Sequence, residues 1–271
     1  GLIDLNDDFK IYWNKFAIAK LTPGNDYLSP SFELIVDDIL EHNQKQKLVE
    51  YINKWLRNKI DIVLQSLIEL KNLKDKNSSI KALAYQLYEN NGVLKRENVS
   101  EYLKNLGQNE RKILRDLGVK FGRYHIFLHK LIKPEPVILR TLLWKNYHQK
   151  HFNLNPPTFG LNFIENKNNK NKYFMLLCGF EKFDNYFVRI DILERLFMQI
   201  INSGSVENKE IKLIPEMLNL LGCSKDNFKK LIQIMNYKVK EKNEDLFFKY
   251  TPQKKTKKSF NKKINKENPF D

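Results

Sequence analysis

The sequence has few cysteines and no long hydrophobic run. Cys178 and Cys223 are the only cysteines among 271 residues, and both lie in mostly apolar sequence segments. This pattern argues against a disulfide scaffold and favours a reducing, cytoplasmic environment. No run of about 18 apolar residues occurs, so we predict no membrane span. No charged-then-apolar leader opens the chain, which argues against a secretion signal. Because the chain starts with Gly1 in a strand-like segment, we expect it to be part of a longer protein.

Motifs for nucleotide binding and catalysis are also missing. The ten glycines form neither a G-x-x-x-x-G-K-[ST] nor a G-x-G-x-x-G loop, and no C-x-x-C or H-E-x-x-H occurs. His125 with His129, and His148 with His151, are the only histidine pairs with helical spacing, and no Cys or carboxylate accompanies them at metal-ligand spacing. From these residues alone we predict no catalytic site, no metal and no cofactor in this chain.

The charge is strongly positive and unevenly distributed. The sequence has 47 Lys and Arg against 32 Asp and Glu, a net charge of +15. Residues 1–41 carry net −5, residues 108–150 net +7, and residues 251–271 net +5. Separated basic patches suit a polyanionic partner that is held through its phosphates. The alternative is a solvated surface with a solubilising tail.

Segment 111–145 combines cations with aromatic rings. Four of the eight arginines lie there, and Arg is the side chain that reads phosphate bidentately. Rings near cations suit single-stranded nucleic acid, because bases stack on the rings. The alternative is that these rings belong to the core. The aromatic residues and histidine concerned are Phe121, Tyr124, His125, Phe127 and Trp144.

Hydrophobic periodicity predicts that the first two-thirds of the chain is mainly helical. A hairpin is expected over 9–21 with its turn at Asn14 and Lys15, followed by one long helix from His42 to Leu73. Segment 119–128 has a strand-like composition interrupted by Gly122. The other predicted helices are 80–90, 98–106, 109–117 and 134–147.

The last third is predicted to end in a helix-turn-helix. Segments 172–180 and 186–190 look like strands and 191–203 like a helix, whereas no internal repeat is evident. Residues 211–250 then read as two helices and a hairpin, which would make a winged helix. In such modules the early residues of the second helix face nucleic acid, although the same packing also occurs in protein-binding domains and in scaffolds. The residues concerned are Lys225, Asn227, Lys229 and Lys230, with Lys238, Lys240 and Lys242 on the wing.

The predicted fold class is therefore mainly α with small β elements. Residues 1–150 would form a mainly helical accessory domain with an N-terminal β-hairpin, and residues 151–172 a linker loop. Residues 173–250 would form a strand/helix and winged-helix-like subdomain, and residues 251–271 a disordered Lys-rich tail.

Four segments resemble one protein family in the same order. Residues 13–30, 114–144, 178–196 and 216–228 are similar to the post-motor region of alphaproteobacterial helicase-related proteins, for example in LRDLGVKFGRYHIFLHKL, VRIDILERL and EMLNLLGCSKDNF. These proteins are superfamily 2 helicases related to the RNA helicase of the mitochondrial degradosome. The resemblance covers nearly the whole chain.

The resemblance implies that an ATP- and magnesium-dependent motor precedes Gly1 and that this chain is its accessory region. The region would guide a single strand of RNA or DNA, and the motor domains would be its protein partner. One alternative is an interaction scaffold that docks on the motor without touching nucleic acid, and another is a separate winged-helix transcription factor. Besides the helix-turn-helix residues, the predicted contacts are Arg111, Lys120, Arg123, Tyr124, Lys130 and Arg140.

Overall fold

The structure is a computed structural model that describes residues 2–73, 78–167, 170–203 and 210–251. The predicted basic tail, apart from Thr251, lies outside the described residues. Helices account for about 49% and strands for about 22% of the described residues, so the fold is mixed α/β rather than mainly α. The prediction underestimated the strands because most are only two to four residues long, too short for an alternating pattern to stand out.

The chain begins with a four-stranded antiparallel sheet in the order β1-β2-β3-β4. The expected hairpin over 9–21 is confirmed as β2 and β3. Its turn residues Asn14 and Lys15 have φ values of 47° and 73°, as a tight hairpin with two left-handed residues requires. The strands are β1 (Ile3–Leu5), β2 (Lys10–Trp13), β3 (Phe16–Thr22) and β4 (Ser31–Leu34).

The expected long helix is two helices, α1 (His42–Val63) and α2 (Gln65–Lys71). Glu41 and Gln44 form a reciprocal capping box at the start of α1, which satisfies backbone donors that a helix start leaves free. The chain turns at Leu64, which is fully buried together with Leu67. The periodicity continues through this turn, so the pattern alone does not reveal the break.

Residues 78–128, here called unit 1, form three helices and a three-stranded sheet. The stop predicted at Asn91 and Gly92 is confirmed, since both have left-handed φ values. Gly118 also has a left-handed φ and leads into the hairpin. The elements are α3 (Ser78–Glu89), β5 (Val93–Lys95), α4 (Ser100–Lys104), α5 (Gln108–Asp116), β6 (Val119–Phe121) and β7 (His125–Leu128).

Residues 134–189, here called unit 2, differ from the prediction in two places. The predicted strand 172–180 is a short helix, in which the Asn171 side chain accepts a hydrogen bond from the Phe174 backbone N–H. A short apolar run does not distinguish a buried strand from a buried helix. The predicted loop 151–172 contains a strand, β8. The elements are α6 (Pro134–His148), β8 (Phe163–Glu165), α7 (Lys172–Leu177), β9 (Phe180–Phe183) and β10 (Tyr186–Arg189).

Residues 190–250, here called unit 3, contain the predicted pair of helices and the hairpin. Gly222 ends the first helix with a φ of 69°. Ser224 then caps the second helix by accepting a hydrogen bond from Asn227 N–H. The elements are α8 (Ile190–Ser203), β11 (Ile211–Lys212), α9 (Pro215–Leu221), α10 (Lys225–Ile234), β12 (Tyr237–Lys242) and β13 (Asp245–Tyr250).

The three units repeat one topology. Units 1 and 3 run helix–strand–helix–helix–hairpin, and unit 2 runs helix–strand–helix–hairpin. In each antiparallel sheet the last hairpin strand lies in the centre: β5-β7-β6, β8-β10-β9 and β11-β13-β12. No repeat is evident in the sequence, but the order of elements and the order of the strands repeat in the structure. The sequence does not reveal this repeat, because helix lengths vary and the described residues of unit 2 contain one α-helix fewer than those of units 1 and 3.

The cores connect the units to one another. The largest cluster joins the first sheet, α1 and α2 with unit 1 and with α6 of unit 2. Two smaller clusters fill unit 3 and the space between α6, α7 and β9–β10. Among the described residues, no helix combines the length and apolar character needed to cross a membrane.

Candidate nucleic-acid interface

Arg140 lies inside the protein, with 0% of its surface exposed. Its guanidinium donates to the carbonyl oxygens of Asn91 at 2.6 Å and Leu131 at 3.2 Å, and to that of Leu177. Burial lowers the pKa of this guanidinium. A nucleic-acid strand cannot reach it, so Arg140 is removed from the candidate contacts. Its role is to tie α6 to the ends of α3 and α7.

Arg111 and Tyr124 are also engaged within the protein. Arg111 donates to the carbonyl oxygens of Leu103 at 2.9 Å, within the last turn of α4, and of Leu106 at 3.2 Å, just beyond that helix. The half-buried Tyr124 ring meets the Phe197 ring edge-on at 5.3 Å and packs against the core of unit 3. Burial raises the pKa of its hydroxyl. Neither side chain is free to receive a strand in this arrangement.

Three of the four predicted contacts on α10 bind other parts of the chain. Lys225 Nζ lies 2.6 Å from the Glu244 carbonyl oxygen, and Lys229 Nζ lies 2.8 Å from Glu241 Oε1. The Asn227 amide donates to Glu165 Oε1 at 2.8 Å, so α10 is docked against the sheet of unit 2. Lys230 is exposed.

Lys120, Arg123 and Lys130 are exposed and lie on or next to the hairpin of unit 1. Lys120 and Lys133 are close enough to His129 to affect its ionisation. Burial lowers the pKa of His129, and the charges of Lys133 and Lys120 lower it further. We call Lys120, His129, Lys130 and Lys133 the basic cluster. Arg189 lies near it but is paired with Asp191 at 2.7 Å.

The turn of this hairpin is held by Glu194 of α8. The carboxylate accepts the backbone N–H groups of Tyr124 at 2.8 Å and His125 at 2.9 Å, and also that of Arg123. Any Cβ at Gly122 would overlap the Glu194 carboxylate. Sequence reasoning missed Glu194, although a glycine that interrupts a strand-like segment is a signal of close approach by another group.

His125, Glu181 and Glu194 form a buried cluster where the three units meet. His125 Nε2 lies 2.9 Å from Glu181 Oε2, and His125 Nδ1 lies 3.6 Å from Glu194 Oε1. Lys95 Nζ lies 3.1 Å from the other Glu181 oxygen. Burial alone would lower the pKa of His125, but the two glutamates outweigh it and raise this pKa. Burial alone would raise the pKa of both glutamates, but hydrogen bonds, above all to His125, lower it.

These shifts predict a maximum of stability between pH 4.5 and 6.5, the ordinary pKa values of Glu and His. The raised pKa of His125 gives stability that is complete below pH 6.5 and is lost as the pH rises through the folded-state value. The lowered pKa values of Glu181 and Glu194 give stability that is present above pH 4.5 and is lost on acidification. Urea unfolding from about pH 3 to about pH 8 measures both trends.

His125→Gln tests whether His125 causes the loss of stability that we expect above pH 6.5. We expect the difference in unfolding free energy between the native chain and this variant to shrink as the pH rises above 6.5, because only the native chain loses a charged imidazole there. A difference that does not change between pH 6 and 8 would contradict this account.

In the part of the chain that the structure describes, no group of three or more His, Cys, Asp or Glu side chains is arranged to hold a metal ion. The sequence-predicted histidine pairs contact other groups instead. His125 pairs with Glu181, and the rings of His148 and His151 lie 5.0 Å and 5.7 Å from the Trp144 ring. The charged groups described here are therefore of two kinds: exposed cations, which could bind an anion, and the buried cluster of His125, Glu181 and Glu194, whose charges are paired with one another.

Comparisons with protein-family models, with curated proteins and with solved structures give no match to this chain.

Proposed function

We propose that this chain is an accessory region of an ATP-dependent superfamily 2 helicase and that it guides a single strand of RNA or DNA. The motor that hydrolyses ATP with magnesium would precede Gly1 in the parent protein. The support for this parentage is the resemblance of the four segments described above. The strand-guiding role rests on the charge and exposure of the basic cluster.

The observation that carries the proposal is the cluster itself. Lys120 comes from β6, His129 and Lys130 from the turn after β7, and Lys133 from the start of α6. The three lysines are exposed. Lys120 and Lys133 are close enough to His129 to lower its pKa, and Lys130 is the next residue in the chain. Exposed lysines near one another can follow a phosphate backbone and release its counterions.

Units 1 and 3 are winged-helix-like in this proposal, because helix–strand–helix–helix–hairpin is the order of a helix-turn-helix followed by a wing. In unit 3 the second helix of the pair, α10, holds Asn227 against Glu165 and Lys229 against Glu241. Side chains occupied in this way are poorly placed to read base edges. We therefore propose contacts to phosphates with little sequence preference.

Lys120→Gln/Lys130→Gln/Lys133→Gln is expected to weaken binding to single-stranded RNA and DNA of any sequence by about tenfold at low salt. The slope of log affinity against log salt should become shallower by about 2, since each lost phosphate contact on a single strand contributes about 0.7. Fluorescence anisotropy of labelled oligonucleotides at several salt concentrations measures both quantities.

Lys47→Gln/Lys54→Gln/Lys81→Gln is the matched control, because it removes three exposed lysines from α1 and α3. It should leave the salt slope close to that of the native chain. If both triple variants lost the same affinity for nucleic acid, the loss would be due to net charge and not to the basic cluster. No binding at low salt by the folded native chain would refute the strand-guiding role.

The scaffold function is a second candidate, favoured by apolar side chains that the N-terminal segment exposes. Leu2, Phe16 and Ile39 are each at least 77% exposed. Leu2 and Phe16 both lie near the Asn14 turn, where the Leu2 N–H donates to Asn14 Oδ1. Such a surface suits docking on a preceding motor domain. Both roles are compatible in one chain.

A further inference from the structure

A small cavity lies between units 1 and 2, away from the basic cluster. Its volume is about 170 Å³, below the roughly 300–1,000 Å³ of ordinary small-molecule pockets. Since one water takes about 30 Å³ of liquid volume, a phosphate-sized group fits and a nucleoside does not. Its polar lining includes Lys95, Asn98, His125, Lys172, Glu181 and Lys182.

The lining carries an excess of positive charge. Lys95 comes from unit 1, whereas Lys172 and Lys182 come from α7 and β9 of unit 2. Glu181 already has two partners, His125 Nε2 at 2.9 Å and Lys95 Nζ at 3.1 Å. Within the described ranges, neither Lys172 nor Lys182 has a carboxylate oxygen within 4.0 Å. Two ammonium groups thus line the cavity without an anionic partner.

We propose that this cavity binds one phosphate group, with Lys172 and Lys182 as its charge partners and the Asn98 amide as a further donor. Each ammonium carries three N–H donors and no acceptor, so the site complements an anion rich in acceptor oxygens and repels cations. The His125–Glu181 pair forms the polar wall behind the site.

The chemistry of a phosphate group is shared by free phosphate and by the backbone of a nucleic-acid strand. Either source would place its oxygens between the same lysines. The proposal does not depend on Lys120, Lys130 or Lys133, and it therefore stands or falls separately from the strand-guiding role.

Isothermal titration of the full chain with inorganic phosphate, at constant pH and ionic strength, tests the site. We expect one phosphate per chain and about tenfold weaker binding for Lys172→Gln/Lys182→Gln. Lys47→Gln/Lys54→Gln on α1 lowers the net charge equally and should bind as the native chain does. Lys172→Arg/Lys182→Arg should retain binding, and a melting curve without phosphate checks that each variant is folded.

No phosphate binding by the native chain, or equal loss in the control on α1, would overturn the proposal. A second arm repeats the titration with a single-stranded oligonucleotide. If Lys172→Gln/Lys182→Gln weakens this binding as well, and phosphate competes with it, the bound group is a backbone phosphate. If the oligonucleotide is unaffected while phosphate binding is lost, the ligand is a free phosphate.

Discussion

Arg140→Ala is expected to lower the free energy of unfolding by about 3–5 kcal/mol. The substitution leaves the buried carbonyl oxygens of Asn91, Leu131 and Leu177 without their shared donor. It also opens a void in the close-packed space between α6, α3 and α7. Urea unfolding followed by circular dichroism measures the loss.

Two further variants separate the causes of this loss. Arg57→Ala removes an exposed arginine from α1 and should change stability by less than about 0.5 kcal/mol. Arg140→Met keeps most of the volume without the charge, so we expect a smaller loss than for Ala. If Arg140→Ala were as stable as the native chain, the three carbonyl contacts would contribute nothing to stability.

Glu194→Gln is expected to destabilise the fold by about 2–4 kcal/mol, because an amide has only one acceptor oxygen and its NH₂ would face at least one of the backbone N–H groups that the carboxylate now binds. These donors belong to Arg123, Tyr124 and His125, in the turn of the unit 1 hairpin; Arg123 binds one carboxylate oxygen, and Tyr124 and His125 bind the other. The loss should therefore be accompanied by faster amide hydrogen exchange at one or more of these three residues.

Arg195→Gln is the matched control, since Arg195 is the next residue of α8 and is exposed. It should leave both stability and hydrogen exchange in the hairpin unchanged. Exchange as slow as in the native chain at Arg123, Tyr124 and His125 in Glu194→Gln would show that Glu194 does not hold the turn.

The sequence predicted the features that depend on local chemistry. The turn at Asn14 and Lys15, the helix stop at Gly92 and the Ser224 cap each follow from the backbone preferences of one or two residues. Strands β8 and β11 were missed because they have three and two residues and exist only through pairing with distant hairpins. These short strands, together with the varying helix lengths, also hide the repeat, which becomes visible only after the strands are paired.

The candidate contacts were less predictable than the fold. Arg140 is a predicted nucleic-acid contact because exposed arginines bind phosphates. An arginine within an otherwise apolar helix can instead donate hydrogen bonds to buried carbonyl oxygens. Its neighbours in α6, Leu139, Leu142 and Leu143, are all buried. Glu181 and Glu194 lie in a strand and a helix whose sequences carry no motif that marks a functional site. The two residues form a cluster only because the fold brings their segments to His125.

The cluster of His125, Glu181 and Glu194 has a mechanical consequence. Its three members come from β7, β9 and α8, one from each unit. If this chain guides a nucleic-acid strand as proposed, a strand pulled across the hairpin of unit 1 would exert a force on β6 and β7. The contacts of His125 with Glu181 and Glu194 would pass that force into the sheet of unit 2 and into a helix of unit 3. The three units would then share the load instead of one short hairpin.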